Sequence, residues 1–186
     1  MTIVENATLP SGIWDIDPVH SEVSFAARYM MVGNVRGRFT SFSGEIIAAP
    51  DFLDTSVTVS IDLASVSSGN DQRDERIRSA DFLDVASHPV MSYRSTCIHD
   101  LGANFIIEGW LTLHGVVRFV PLELEIVRFV TDTNGDTRAG FEAAATITRS
   151  DFGIDIDVIR PLDGCRVVIS DQIEIQIEIL GVLRAR

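Results

Sequence analysis

The sequence predicts an all-β fold: an antiparallel, up-and-down β-barrel of about eight strands with one short helix near residues 70–80. Two observations predict it. Apolar and polar side chains alternate with period two in most segments, as they do in strands that bury one face and wet the other. Turn-forming residues separate those segments at short intervals, and only Asn70–Ala80 breaks the rhythm.

The elements follow in order. Trp14-Asp15-Ile16 reads as a short strand, and Pro18 breaks it. In the next strand Val23, Phe25, Ala27 and Tyr29 share one face, with Glu22, Ser24 and Arg28 on the other. Phe39 and Phe42 are spaced by three, so a bulge is expected to return them to one face. Val57, Val59 and Ile61 repeat the alternation. Asn70 is an N-cap residue followed by acidic residues in a first turn, which predicts a helix to Ala80, and Ser79–Val85 is expected to add a second helical turn. Leu101-Gly102-Ala103-Asn104 marks a turn. Phe105, Ile107, Gly109, Leu111 and Leu113 form one row, and Leu122, Leu124 and Ile126 another. Asn134-Gly135 centres a hairpin turn over Asp132–Asp136. Phe141, Ala143, Ala145 and Ile147 follow, and then Ile173, Ile175, Ile177 and Ile179 interleave with Glu174, Gln176 and Glu178. That last strand offers an edge for a homodimer.

Composition narrows the function. The 186 residues are 46% hydrophobic, enough for one domain with a sizeable core. No linker or repeat divides them, so residues 12–186 are read as a single domain behind a flexible N-terminus, 1–11. The formal net charge of −12 disfavours nucleic acid and anionic membranes as partners. All 15 basic residues are arginines, which excludes a lysine Schiff base, a pyridoxal phosphate anchor and a P-loop lysine. Met1–Gly12 has no basic n-region and no apolar h-region, and no apolar run reaches transmembrane length. The expectation is a cytoplasmic protein without stable membrane insertion. Cys97 and Cys165 make no CxxC motif and are expected as free thiols.

No catalytic or metal-binding motif is present. His20, His88, His99 and His114 never pair at i, i+2 or i, i+4, and GxSxG, GxGxxG and HExxH are missing. Asp17, His20 and Ser21 are close in sequence, but Asp17 and Ser21 are expected to bond backbone groups around the Pro turn. Asp151, Asp155 and Asp157 lack the Gly and Glu that a calcium loop needs. Arg73, Arg76 and Arg78 read either as an anion-binding patch or as a salt-bridged helix with Asp71, Asp74 and Glu75. Ala27, Gly109, Ala143 and Ala145 are small residues on inward rows. They leave space inside a barrel unless Phe25, Phe39 and Phe105 fill it.

Several short motifs, in order, carry a resemblance: Trp14–Phe25, Val35-Arg36-Gly37-Arg38-Phe39, Ser65–Asp74, Ser79–Val85 with His88-Pro89, Gly109–Val116 and Arg149-Ser150-Asp151-Phe152-Gly153. Together they resemble the YceI-like family of polyisoprenoid-binding proteins, from about Gly12 onward. The resemblance implies a lipocalin-like barrel whose central cavity takes an isoprenoid lipid tail, with no defining enzymatic activity. It implies a polyprenyl phosphate or isoprenoid quinone as bound ligand and no other cofactor. The expected ligand-binding residues are Phe25, Ala27, Tyr29, Phe39, Phe82, Phe105, Leu111, Phe141, Ala143 and Ala145, with no catalytic residue and no metal ligand. Two departures stand out: Tyr29 replaces a His usual in the family, and Gly115-Val116-Val117-Arg118 replaces Gly-Val-Thr followed by a basic residue. The competing readings are an enzyme on a hydrophobic substrate using Asp17, His20 or His114, and an interaction module whose barrel is filled. His114 alternates with inward Leu113 and is expected to point outward.

Overall fold

The structure is a computed structural model that describes residues 9–29, 33–102, 104–131, 135–155, 158–159, 166–167 and 169–184. The start of the expected flexible N-terminus (1–8), the Asp132–Asn134 hairpin tip, Asp157, Cys165 and the Ile126 side chain lie outside the described residues.

The strands are β1 (Gly12–Ile16), β2 (Glu22–Tyr29), β3 (Gly33–Phe39), β4 (Phe42–Ala48), β5 (Ser56–Asp62), β6 (Val66–Ser67), β7 (Val90–Asp100), β8 (Phe105–Leu113), β9 (Val116–Phe119), β10 (Leu122–Thr131), β11 (Thr137–Thr148), β12 (Val158–Ile159), β13 (Arg166–Val167) and β14 (Ile169–Leu183). Helix α1 spans Asp71–Arg78. Pairing runs β1–β4–β5–β7–β8–β10–β11–β14, all antiparallel, and β14 closes the ring on β1. The result is the expected eight-stranded barrel.

Three barrel strands are interrupted. β14 is long enough to pair with β1 through Gly181–Leu183 and with β2 through Ile169–Glu178, so β1 and β2 are two halves of one strand. Pro18 lacks the N–H a ladder needs, and Asp17–Ser21 leaves the sheet there. Asp17 Oδ1 accepts from Val19 N at 3.0 Å, the local turn bond expected of it. Ser21 instead reaches across the ring, its Oγ accepting from Leu180 N at 2.9 Å. β3 and β4 likewise share a strand. Thr40-Ser41 forms a two-residue break, where the sequence suggested a one-residue bulge, and Phe39 and Phe42 are both buried around it. β5 and β6 are split by a 3₁₀ turn at Leu63–Ser65.

The β14 rows match the sequence pattern, but β14 is paired on both sides, so it offers no dimer edge. Asn70 caps α1 as expected, its side chain accepting from Arg73 N at 2.9 Å. The second helical turn does not form. Residues 79–87 are turns in which Leu83 N reaches back to Ile77 O and Val85 N to Arg78 O, and Asp84 takes a positive φ of 43°. That reversal folds Phe82 and Leu83 over the open end of the barrel.

Candidate functional site

A barrel of eight strands is wide enough for side chains alone or for one ligand. Here it keeps two apolar chambers. The outer one, about 610 Å³, lies under α1 and the 79–87 turns, and the inner one holds about 110 Å³. Val23, Met91 and Ile175 line both, so the two chambers adjoin across these three side chains, which make the neck any tail reaching the inner chamber would pass. The outer chamber is within the usual size of a small-molecule pocket.

The expected ligand-binding residues divide between these spaces. Phe25, Ala27, Tyr29, Phe39 and Phe82 line the outer chamber, and Leu111, Phe141 and Ala143 the inner one. Ala145 sits between them on the same row, opposite Ile175, and lines neither. Phe105 also lines neither; its ring packs edge-on to Phe52, 4.9 Å between centroids, where Phe52 closes the inner chamber. The vacancy expected at Gly109 is filled, because the Tyr93 ring lies over it. Phe25 covers Gly37 in the same way. Burial, then the Glu108 and Cys97 charges, push the Tyr93 phenol well above its ordinary range, so the hydroxyl stays protonated.

The mouth is the polar end. Arg73, Arg76 and Arg149 line it with Asn70 and Gln72. Arg73 donates from Nε to Ser68 Oγ and from Nη2 to Ser68 O, both at 2.7 Å, and Ser68 in turn bonds the buried Asp74 carboxylate. Arg78, outside the chamber, donates to Ala64 O and Val66 O. Arg149 donates to the carbonyls of Ile154, Ile169 and Ser170. The helix arginines therefore make no salt bridges with Asp71, Asp74 or Glu75 among the described residues. They satisfy the carbonyls of a strand whose ladder is interrupted beside them. Arg76 is the exception: its guanidinium makes no hydrogen bond or ion pair among the described residues, and lies 5.9 Å from the centre of the Phe82 ring.

Two polar clusters form in which a pair close in sequence, Asp84 with His88 and Cys97 with His99, is completed by a third residue from another strand or turn, His114 and Glu108. Asp84, His88 and His114 bring ligand-type atoms within 4.8 Å of one another beside the 79–87 turns. His114 has a positive φ of 53°, which takes it out of the strand alternation that predicted an outward side chain. Its Nδ1 lies 3.1 Å from Phe152 O, and its ring packs edge-on to His88. Gly115, at φ 73°, gives that His88 ring room, since a Cβ there would fall 2.6 Å from it. The second cluster is Cys97, His99 and Glu108 on the outer wall. Asp17 and His20 do pair, Nδ1 to Oδ2 at 2.9 Å, but at the exposed strand break and not inside the barrel.

A closed antiparallel barrel with two adjoining apolar chambers and a cationic mouth defines a cavity-bearing, lipocalin-like barrel protein. The YceI-like domain profile matches residues 14–180, and the chain belongs to that family. A UPF0312 protein of Vibrio cholerae is 32% identical over 144 residues, 76% of each chain. Burkholderia cenocepacia BcnA superposes with a TM-score of 0.75 at 21% identity, covering 89% of this chain and 99% of that one. A polyisoprenoid binding domain from Saccharophagus degradans, implicated in plant cell wall breakdown, gives a TM-score of 0.69 at 21% identity, covering 92% and 98%. Among the described residues no helix is long and apolar enough to cross a membrane.

Proposed function

We propose that this protein binds an amphiphile with an isoprenoid-type tail, a polyprenyl phosphate or isoprenoid quinone, and carries or stores it without chemical conversion. The observation that carries this reading is the pair of adjoining apolar chambers, the outer one ending at a guanidinium without a hydrogen-bond or ion-pair partner among the described residues, Arg76. Burying each methylene contributes about 0.8 kcal/mol, so a tail that fills the outer chamber and enters the neck supplies most of the affinity. Chain length is then discriminated only modestly, by about fourfold for each methylene buried. The similarity to a domain described as polyisoprenoid binding supports the same ligand class. The filled-barrel reading is disfavoured by the space that persists although Tyr93 and Phe25 already cover two glycines. The enzyme reading is disfavoured because the Asp17–His20 pair is outside the barrel and the His114 ring is tied to Phe152 O.

The test is solvent extraction of the purified protein, and of protein incubated with polyprenyl phosphates and quinones, followed by mass spectrometry. A stoichiometric isoprenoid is expected. Ala143→Phe, which fills the inner chamber, should lose long-tailed ligand. Ala144→Phe, one residue along on the exposed face, should keep it. Empty extracts after loading, or full binding by folded Ala143→Phe, would overturn the assignment.

A further inference from the structure

β7 carries an extra residue. Its register with β8 runs Ser95 to Gly109 and then Cys97 to Glu108, so Thr96 is a bulge. Met91 and Tyr93 point inward before it and Ile98 after it, all buried. In an unbroken strand Cys97 and His99 would share the inward face of Met91 and Tyr93. The bulge turns both outward, beside Glu108. Thr96 Oγ1 holds the distortion by donating to Glu108 O at 3.2 Å. Bulges that re-aim side chains are a recurring way to build sites.

The three re-aimed groups converge. Cys97 Sγ lies 3.4 Å from His99 Nε2 and 3.0 Å from Glu108 Oε2, and His99 Nε2 lies 3.4 Å from Glu108 Oε1. A Cys-His-Glu catalytic triad would use both imidazole nitrogens, one toward the thiol and one toward the carboxylate. Here one nitrogen faces both partners, the thiol lying against one carboxylate oxygen and the imidazole against the other, so that one donor atom from each residue lies within 4.8 Å of the other two. In a tetrahedral zinc site, with zinc–sulfur near 2.3 Å and zinc–nitrogen and zinc–oxygen near 2.0–2.2 Å, neighbouring donor atoms stand about 3.3–3.6 Å apart. The observed spacings approach that arrangement before any ion is considered. Thiolate, imidazole and carboxylate together match zinc among the common divalent ions. The acidic surface favours a cation.

We propose that Cys97, His99 and Glu108 form a zinc(II) site on the outer wall of the barrel, with its fourth position open to solvent. Binding displaces the thiol proton to solvent and leaves a zinc–thiolate bond, with no change of oxidation state. The site is separate from the lipid chambers, whose lining includes none of these residues.

The test is zinc titration of the reduced, chelator-treated full chain by calorimetry, with cobalt(II) as a spectroscopic substitute. One high-affinity equivalent and a thiolate-to-cobalt charge-transfer band are expected. Cys97→Ser and His99→Ala, both on the outer wall, should each weaken zinc at least tenfold and abolish or shift the band, while Cys165→Ser and His88→Ala should change neither. Wild-type zinc affinity in Cys97→Ser, or a cobalt complex without the thiolate band, would overturn the assignment.

Discussion

The Tyr93 ring stands over Gly109 on the neighbouring strand so closely that a Cβ on Gly109 would lie 2.5 Å from both the ring Cζ and the hydroxyl oxygen. The hydroxyl is shared between Ile107 O at 3.0 Å and Val120 O at 3.1 Å, which pins the ring in place. Gly109→Ala must therefore displace a buried, hydrogen-bonded aromatic. Overpacking of this kind costs about 1–3 kcal/mol. Urea unfolding should show that loss, and a smaller but not abolished loss when Gly109→Ala is made in a Tyr93→Leu background, because the two sites couple while the 2.6 Å approach of such a Cβ to Arg94 O remains. Equal losses in both backgrounds would place the strain on the Arg94 carbonyl and not on the ring.

Met91 is the adjustable member of the neck. Its unbranched thioether can change rotamer as a tail passes, which neither Val23 nor Ile175 can do as freely. Met91→Trp should leave short-tailed ligands bound in the outer chamber and exclude tails that must reach the inner one. Affinity should then stop rising with tail length, forgoing about 0.8 kcal/mol for each methylene denied entry. Competition binding across a polyprenyl series reads this directly, and an unchanged length dependence would sink the neck assignment.

Arg76 should set head-group preference. A hydrogen bond to a charged group is worth about 1.5–3 kcal/mol, so Arg76→Gln should weaken a polyprenyl phosphate by roughly 10- to 100-fold. A neutral quinone should be affected far less. Parallel titrations with the two ligands, repeated at high salt, check the difference. Equal losses for both would mean that Arg76 acts through packing on Phe82.

Acid should loosen the mouth through Asp171. Its carboxylate accepts from the Ser150 hydroxyl at 2.7 Å and from Ser150 N at 3.0 Å, with Arg149 nearby, and these hold it below the ordinary carboxylate range. A folded-state value below the unfolded one means that the stabilisation is fully present above the ordinary value of 3.8 and is lost as pH falls through the lower folded value. Asp15, hydrogen-bonded by Arg184, follows the same sign. Thermal unfolding followed from neutrality down to about pH 2 should fall less steeply in Asp171→Asn than in the parent.

The barrel was legible because its strands bury one face each, and period two records that directly. Ile173–Ile179 and Phe141–Ile147 read correctly from alternation alone. Alternation failed where the backbone changed register or handedness. The positive φ of His114 removes it from its strand's pattern, and no alternating row announced β7, where the Thr96 bulge shifts Cys97 and His99 by one residue. Gly109 misled for a different reason: a missing side chain on one strand says nothing about a large one reaching over from the next. The arginines of α1 were read against their sequence neighbours, whereas the partners of Arg73 and Arg78 are carbonyls at Ala64, Val66 and Ser68, exposed by a strand break that composition does not announce.

β14 pairs with β11 on one side and with β1 and β2 on the other. The first strands therefore wait for the last before their hydrogen bonds on that side can form, a separation of more than 140 residues between Arg28 and Ser170. Ring closure of that kind is late and entropically costly, and folding dominated by such distant contacts is slow. During synthesis β1 and β2 present an unpaired edge until residues 169–183 arrive, and that interval is when the chain is most exposed to pairing with a neighbour.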